Sequence, residues 1–177
     1  MDIDSVECDK NKKTMKVIMS SVHMAEAAML GSHRRLFKHL NIIRSYIFGP
    51  GLNEVDSLTY HIILCSLLES FKHKTQKIVI REPSGLSYTT IHEANMASKP
   101  EVIEMIMNTV HLAETAMTIS TTEFLKFINI IREHIFNDGL IDEDSLRFHV
   151  MLCSLLERFQ HETHIVVTRD CYGCYII

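Results

Sequence analysis

The sequence has no apolar run approaching the ~20 residues that cross a bilayer. Its opening residues, Met1 to Thr14, are polar and mixed in charge rather than the apolar stretch of a secretory signal. A cytoplasmic protein without a membrane partner is therefore expected. Glycine is scarce, at 6 of 177 residues, which leaves little room for a phosphate-cradling loop; P-loop, GxGxxG, GxSxG and HExxH patterns are all missing. No catalytic residue and no cofactor is assigned, and a non-enzymatic chain is expected. An excess of positive charge is missing as well. With 18 Lys and Arg against 22 Asp and Glu, the formal charge is -4, so the whole chain does not attract nucleic acid, and only local basic patches remain. The five cysteines are an odd number, and Cys65 and Cys153 fall in apolar helical segments, which argues against a disulfide framework.

What is present suits a folded globular protein: 46% of residues are hydrophobic and 23% charged. At this length one domain or two very small ones are expected, burying roughly two-thirds of the unfolded surface. The dominant signal is internal. Laying Thr14–Thr89 over Val102–Ile177 at a constant offset of 88, without a gap, gives 34 identical pairs in 76 positions. They fall in blocks, such as Asn41-Ile42-Ile43-Arg44 with Asn129-Ile130-Ile131-Arg132, and Leu64 to Glu69 with Leu152 to Glu157. Two copies are too few for an open solenoid, so a tandem duplication packed as a pseudo-twofold intramolecular dimer is expected. The boundaries are a flexible tail at 1–13, repeat units at 14–91 and 100–177, and a linker at 92–99. Ser98, Pro100 and Glu101 give the start of the second unit an N-cap signature.

Each copy reads as three helices and a β-hairpin, making the fold class α+β, mainly α. The first helix covers about Met15–Leu30 and again Pro100–Met117. The second places Leu36, Leu40, Ile43 and Ile47 on one side, repeated by Phe124, Ile128, Ile131 and Ile135, with Gly51 and Gly139 as stops. The third covers about Glu54–Lys74 and Glu143–Glu162, opened by acidic residues that suit its positive end. β-Branched runs around Arg81–Gly85 then suggest a hairpin, repeated by His164–Thr168 and Cys174–Ile177. The third helix has two apolar faces. Its broad one, with Tyr60, Ile63, Leu64, Leu67, Leu68 and Phe71, is assigned to the unit's own core. The narrow stripe, Leu58, Ile62 and Cys65 with Leu146, Val150 and Cys153, is assigned to the seam between copies.

Beside that stripe run His61, Cys65, Glu69 and His73, repeated as His149, Cys153, Glu157 and His161. These are zinc-ligand types at i, i+4 spacing, but the row turns about 40° per step, so one ion takes only neighbours and four ligands require both copies. A buried polar seam is the preferred reading, zinc binding the lesser, and no metal ligand is assigned. Thiol catalysis is disfavoured because Cys65 and Cys153 sit among leucines. Cys171-Tyr172-Gly173-Cys174 has CxxC spacing without a second pair, and a hairpin turn accounts for it. His23 with Glu26, and His111 with Glu114, read as hydrogen-bonded surface or interface pairs.

Three helices followed by a hairpin are similar to a winged-helix unit, whose third helix enters the major groove. Helix three lacks the basic face this requires: Lys72, Lys74 and Lys77 lie only at its end and become Gln160, Glu162 and Ile165 in the second copy. Helix two is basic in the first copy, through His33-Arg34-Arg35, Lys38 and Arg44, whereas Thr121, Thr122 and Glu123 open the second, which keeps only Lys126 and Arg132. Arg34, Arg35, Lys38, Arg44, Lys126 and Arg132 are the candidate partner-binding residues. A protein partner is the leading expectation for a regulatory or adaptor module, nucleic acid the second, and free strand edges leave homo-oligomers open.

Overall fold

The computed structural model describes residues 3–82, 85–90 and 97–177, with side chains over 11–82, 85–89 and 97–177. Among them are six helices: α1 (Ile3–Ala28), α2 (His33–Ile47), α3 (Glu54–Thr75), α4 (Pro100–Ala116), α5 (Thr121–Ile135) and α6 (Asp142–Thr163). The strands β1 (Lys77–Glu82) and β2 (Gly85–Thr90) follow α3, while β3 (Thr168–Arg169) and β4 (Tyr175–Ile176) follow α6. The protein is mainly helical with two small two-stranded sheets. β3 and β4 run antiparallel, with Arg169 opposite Tyr175. Two compact units result, one of Met1–Ile80 with Ser84–Ala94, the other of Arg81–Pro83 with Asn95–Ile177. Residues 91–96, which include most of the linker expected at 92–99, and positions 83 and 84 of the expected turn lie outside the described residues.

The first unit is built on α2. Ser32 caps its N-terminus, its hydroxyl accepting from the Arg35 N–H at 3.3 Å. Leu36, Leu40, Ile43 and Ile47 are fully buried, as a 3.6-residue period demands. Against them lie Ile18, Val22 and Ala25 of α1 and Leu64, Leu68 and Phe71 of α3, at most 4% exposed. Asn53 caps α3 through the Asp56 N–H at 2.9 Å, and the buried Ser57 hydroxyl donates to the Ile47 carbonyl, tying α3 to the end of α2. At its other end α3 stops on Gln76 in the left-handed region, φ 56°, while the Thr75 hydroxyl donates to Phe71 O at 2.6 Å and accepts from Lys77 N at 3.2 Å.

The second unit repeats these devices 88 positions later. Ser120 caps α5 through Glu123 N, Ser145 donates to Ile135 O, and Thr163 links Phe159 O to Ile165 N. His164 occupies the left-handed cap with φ 59°. Phe124, Ile128, Ile131 and Ile135 are fully buried, and Phe124 stacks on Phe159 with centroids 4.3 Å apart. Within this unit the buried Arg81 guanidinium pairs with the Asp142 carboxylate and donates to Leu140 O at 3.4 Å.

Four sequence expectations are corrected. Helix α1 begins at Ile3, so its backbone runs through the segment expected to be a flexible tail. Ser98 does not cap α4, whose N-cap is Lys99 without a side-chain bond. Instead Ser98 accepts from Ile141 N at 2.8 Å and donates to the Asp144 carboxylate at 2.6 Å, bridging the N-cap residue of α6 to its first turn, where Ile141 stands in place of Asn53 and makes no side-chain cap bond. Gly51 and Gly139 are not helix stops, because α2 and α5 end at Ile47 and Ile135. They permit close packing of the first helix: a Cβ on Gly51 would lie 2.0 Å from Thr14 Oγ1, and one on Gly139 2.6 Å from Val102 Cγ2. Finally, the gapless offset fails in the hairpin. Asn41 brackets Leu86, yet Asn129 brackets Tyr175 rather than Cys174, so the second hairpin holds one residue more.

Candidate functional site

The first turn of α2 goes against helix electrostatics. The N-terminal end of a helix is its positive pole, where each cation costs about 0.3–1 kcal/mol at an exposed position. Here that turn holds His33, Arg34 and Arg35 and no acidic residue. Lys38 adds a like charge at i, i+4 from Arg34, a further unfavourable pairing. Arg34, Arg35 and Lys38 are exposed, and none has an ion-pair partner among the described residues. In the second unit the same positions carry Thr121, Thr122 and Glu123, and that glutamate suits the helix pole.

Next to these cations lies an aromatic cluster. His33 and Phe37, one turn apart on α2, both meet Phe71 of α3 and Tyr88 of β2, with centroid separations of 5.2 to 5.3 Å. Phe71 is fully buried, whereas Tyr88 is 43% exposed with the Lys77 ammonium 4.8 Å from its ring centre. The first unit thus sets Lys77 against a half-exposed aromatic platform that His33 joins to the α2 turns carrying the exposed Arg34, Arg35 and Lys38. The second unit has Leu125 in place of Phe37 and Ile165 in place of Lys77. The contrast extends to the whole sequence repeats: residues 14–91 contain 9 basic and 5 acidic side chains, Arg81 included, and residues 100–177 contain 5 and 12.

Not every expected residue joins this surface. Arg44 and Arg132 are half-buried, and Arg132 Nη2 donates to Cys174 Sγ at 3.3 Å, so that guanidinium serves its own hairpin. Lys126 is exposed, 6.0 Å from the Phe127 ring centre. In the stripe assigned to the seam, Leu58, Cys65, Leu146 and Cys153 are half-buried, while Ile62 and Val150 are 48% and 45% exposed. The His/Cys/Glu ladder spirals from core to solvent. His61 and His149 are fully buried, the cysteines half-buried, and Glu69, His73, Glu157 and His161 exposed. A 40° drift per step carries the fourth member about 120° from the first. Among the described residues no group of three or more His, Cys, Asp or Glu side chains is placed to hold a metal ion. His23, Glu26, His111 and Glu114 are exposed. No helix of the described residues is long and apolar enough to cross a membrane.

Sequence reasoning found the α2 cations, with His33 among them, but missed Lys77 and Tyr88 as neighbours of that helix, because the hairpin folds back over α2 only in three dimensions. The separate charge counts of the two repeats were the available signal. Comparison with protein families, with curated proteins and with solved structures finds no match to this chain.

Proposed function

We propose that this chain is a non-enzymatic regulatory or adaptor protein, arisen by tandem duplication, whose first unit binds an acidic segment of a protein partner. The carrying observation is the cationic face of α2. Arg34, Arg35 and Lys38 work against the helix they sit on, and the equivalent positions of the second unit, on the same scaffold, do not. Charge arranged at a cost to stability is the mark of a surface kept for recognition. Lys77 and Tyr88 extend it with a cation and an aromatic, a pairing that suits carboxylates set beside apolar side chains.

The finer architecture belongs to the same proposal. Matching caps at Ser32 and Ser120, Ser57 and Ser145, and Gln76 and His164 support descent from one unit, and the shared Leu58/Leu146 and Cys65/Cys153 stripe supports pairing of the copies about a pseudo-twofold axis.

A protein partner is favoured over duplex nucleic acid because α3, which a winged-helix unit would place in the groove, exposes Val55, Thr59, Ile62, Ser66 and Glu69 along its length and carries cations only in its last turn, at Lys72 and Lys74. The test is charge reversal, Arg34→Glu with Arg35→Glu, in the full chain with helicity checked by circular dichroism. Binding of acidic peptides should fall at least tenfold. Affinity for generic duplex that declines steeply with added salt would favour the winged-helix reading instead.

A further inference from the structure

We propose that Cys171 and Cys174 form an oxidisable dithiol, a thiol–disulfide exchange site whose oxidant is a low-molecular-weight disulfide. It lies in the second unit and shares no residue with the cationic face, so either reading can fail alone. Both thiols are free, Cys171 exposed and Cys174 half-buried. They sit at opposite ends of the turn joining β3 to β4. Asp170 N donates to Cys174 O at 2.9 Å, continuing the register that sets Arg169 opposite Tyr175. The Asp170 carboxylate accepts from Tyr172 N at 2.9 Å and Cys174 N at 3.0 Å, and Gly173, at φ 80°, donates to Asp170 O at 3.0 Å. A hydrogen-bonded antiparallel pair holds its Cα atoms about 5.5 Å apart. Cys171 is the residue after Asp170, so a small turn adjustment brings the two cysteines within the roughly 4.4–6.8 Å that a disulfide spans.

Two features set this turn apart from its counterpart. The corresponding stretch of the first repeat, Glu82-Pro83-Ser84-Gly85, has no cysteine in its sequence, and on the overlay that aligns Gly85 with Gly173, Cys174 is the residue added before the bracketed Tyr175. The extra residue also carries a specific partner: Arg132 Nη2 donates to its sulfur at 3.3 Å.

The chemistry follows the different exposures. The exposed Cys171, as thiolate, attacks one sulfur of the small disulfide, forming a mixed disulfide and releasing one small thiol. The Cys174 sulfur then attacks the Cys171 sulfur and displaces the second. Two protein thiols are oxidised to one disulfide and one small disulfide is reduced to two thiols, which take up the two protons. Arg132 is a positioning residue, holding Cys174 Sγ within the hairpin for the second step.

The test treats the reduced full chain with glutathione disulfide and maps products by peptide mass spectrometry. The fragment containing Cys171 and Cys174 should lose two hydrogens and keep no glutathione, ahead of any change at Cys65 or Cys153. Cys174→Ser should retain one glutathione on Cys171. Arg132→Ala should slow the second step several-fold, so that mixed disulfide accumulates, and Arg132→Lys should restore much of the rate. Retention of two glutathiones on the fragment, or its reaction no faster than at Cys65, would overturn the proposal.

Discussion

Asn129 holds both backbone polar groups of Tyr175: its Oδ1 accepts from the Tyr175 N–H at 2.7 Å and its Nδ2 donates to the Tyr175 carbonyl at 3.0 Å. Tyr175 is 1% exposed. A side-chain amide offers one acceptor and one donor in the arrangement of a neighbouring strand, so α5 completes the pairing of the hairpin's last strand. Asn41 does the same for Leu86, at 2.8 and 3.5 Å.

Removing either amide takes two hydrogen-bond partners from the backbone of a buried residue. Asn129→Ala should lower stability by about 2–3 kcal/mol, and Asn41→Ala, which loses one short bond and one long one, by about 1–2 kcal/mol. Urea unfolding of the two variants measures both; equal and negligible losses would show that water replaces the amides.

Gln76 and His164 end α3 and α6 in the left-handed region, where a Cβ is strained. Gln76→Gly and His164→Gly should each raise stability by about 1 kcal/mol. Gln76 Nε2 donates to His73 O at 3.3 Å at an exposed site, so the gain at Gln76 should be the smaller of the two. The shift in urea midpoint checks this, and a loss in either variant would contradict relief of strain.

Tyr60 is 4% exposed, and burial first, then the Asp56 carboxylate, pushes its phenol above its ordinary value of 10.0. Deprotonation is therefore easier in the unfolded chain. The stability tied to this group is complete below pH 10 and is lost as pH rises through the folded value, by up to about 1.4 kcal/mol per pH unit. Tyr60→Phe, the residue present as Phe148 in the second unit, should track the parent below pH 10 and decline less above it. Parallel curves to pH 11 would contradict the shift.

Much of the fold was legible because period and burial agree. The stripes Leu36–Ile47 and Phe124–Ile135 are fully buried as their spacing requires, and the broad face of α3 lies in the core through Tyr60, Leu64, Leu67, Leu68 and Phe71, with Ile63 at its edge half-buried. The failures lie where one residue serves a distant element. Ser98 resembles a cap for the helix after it, yet its hydroxyl serves α6, 43 residues on. Gly51 and Gly139 resemble helix stops and are instead contact points for α1 and α4. The Cys174 insertion is invisible to a gapless overlay because Gly85 and Gly173 still align, and only the Asn41 and Asn129 brackets reveal the slip. Of the candidate surface, Arg34, Arg35 and Lys38 were legible from charge alone, while Tyr88 reaches His33 only through the hairpin.

The central claim is that the first unit recognises a partner through its cationic α2 face while the second keeps the scaffold. It is tested most directly by affinity capture from native extract with three baits: the parent chain, Arg34→Glu with Arg35→Glu and Lys38→Glu, and Thr121→Glu with Thr122→Glu. Each is run with and without nuclease. The account expects a stoichiometric, nuclease-resistant protein partner that is retained by the parent and the second-unit variant and lost from the first-unit variant. Equal retention by all three baits, or recovery that vanishes with nuclease, would contradict it.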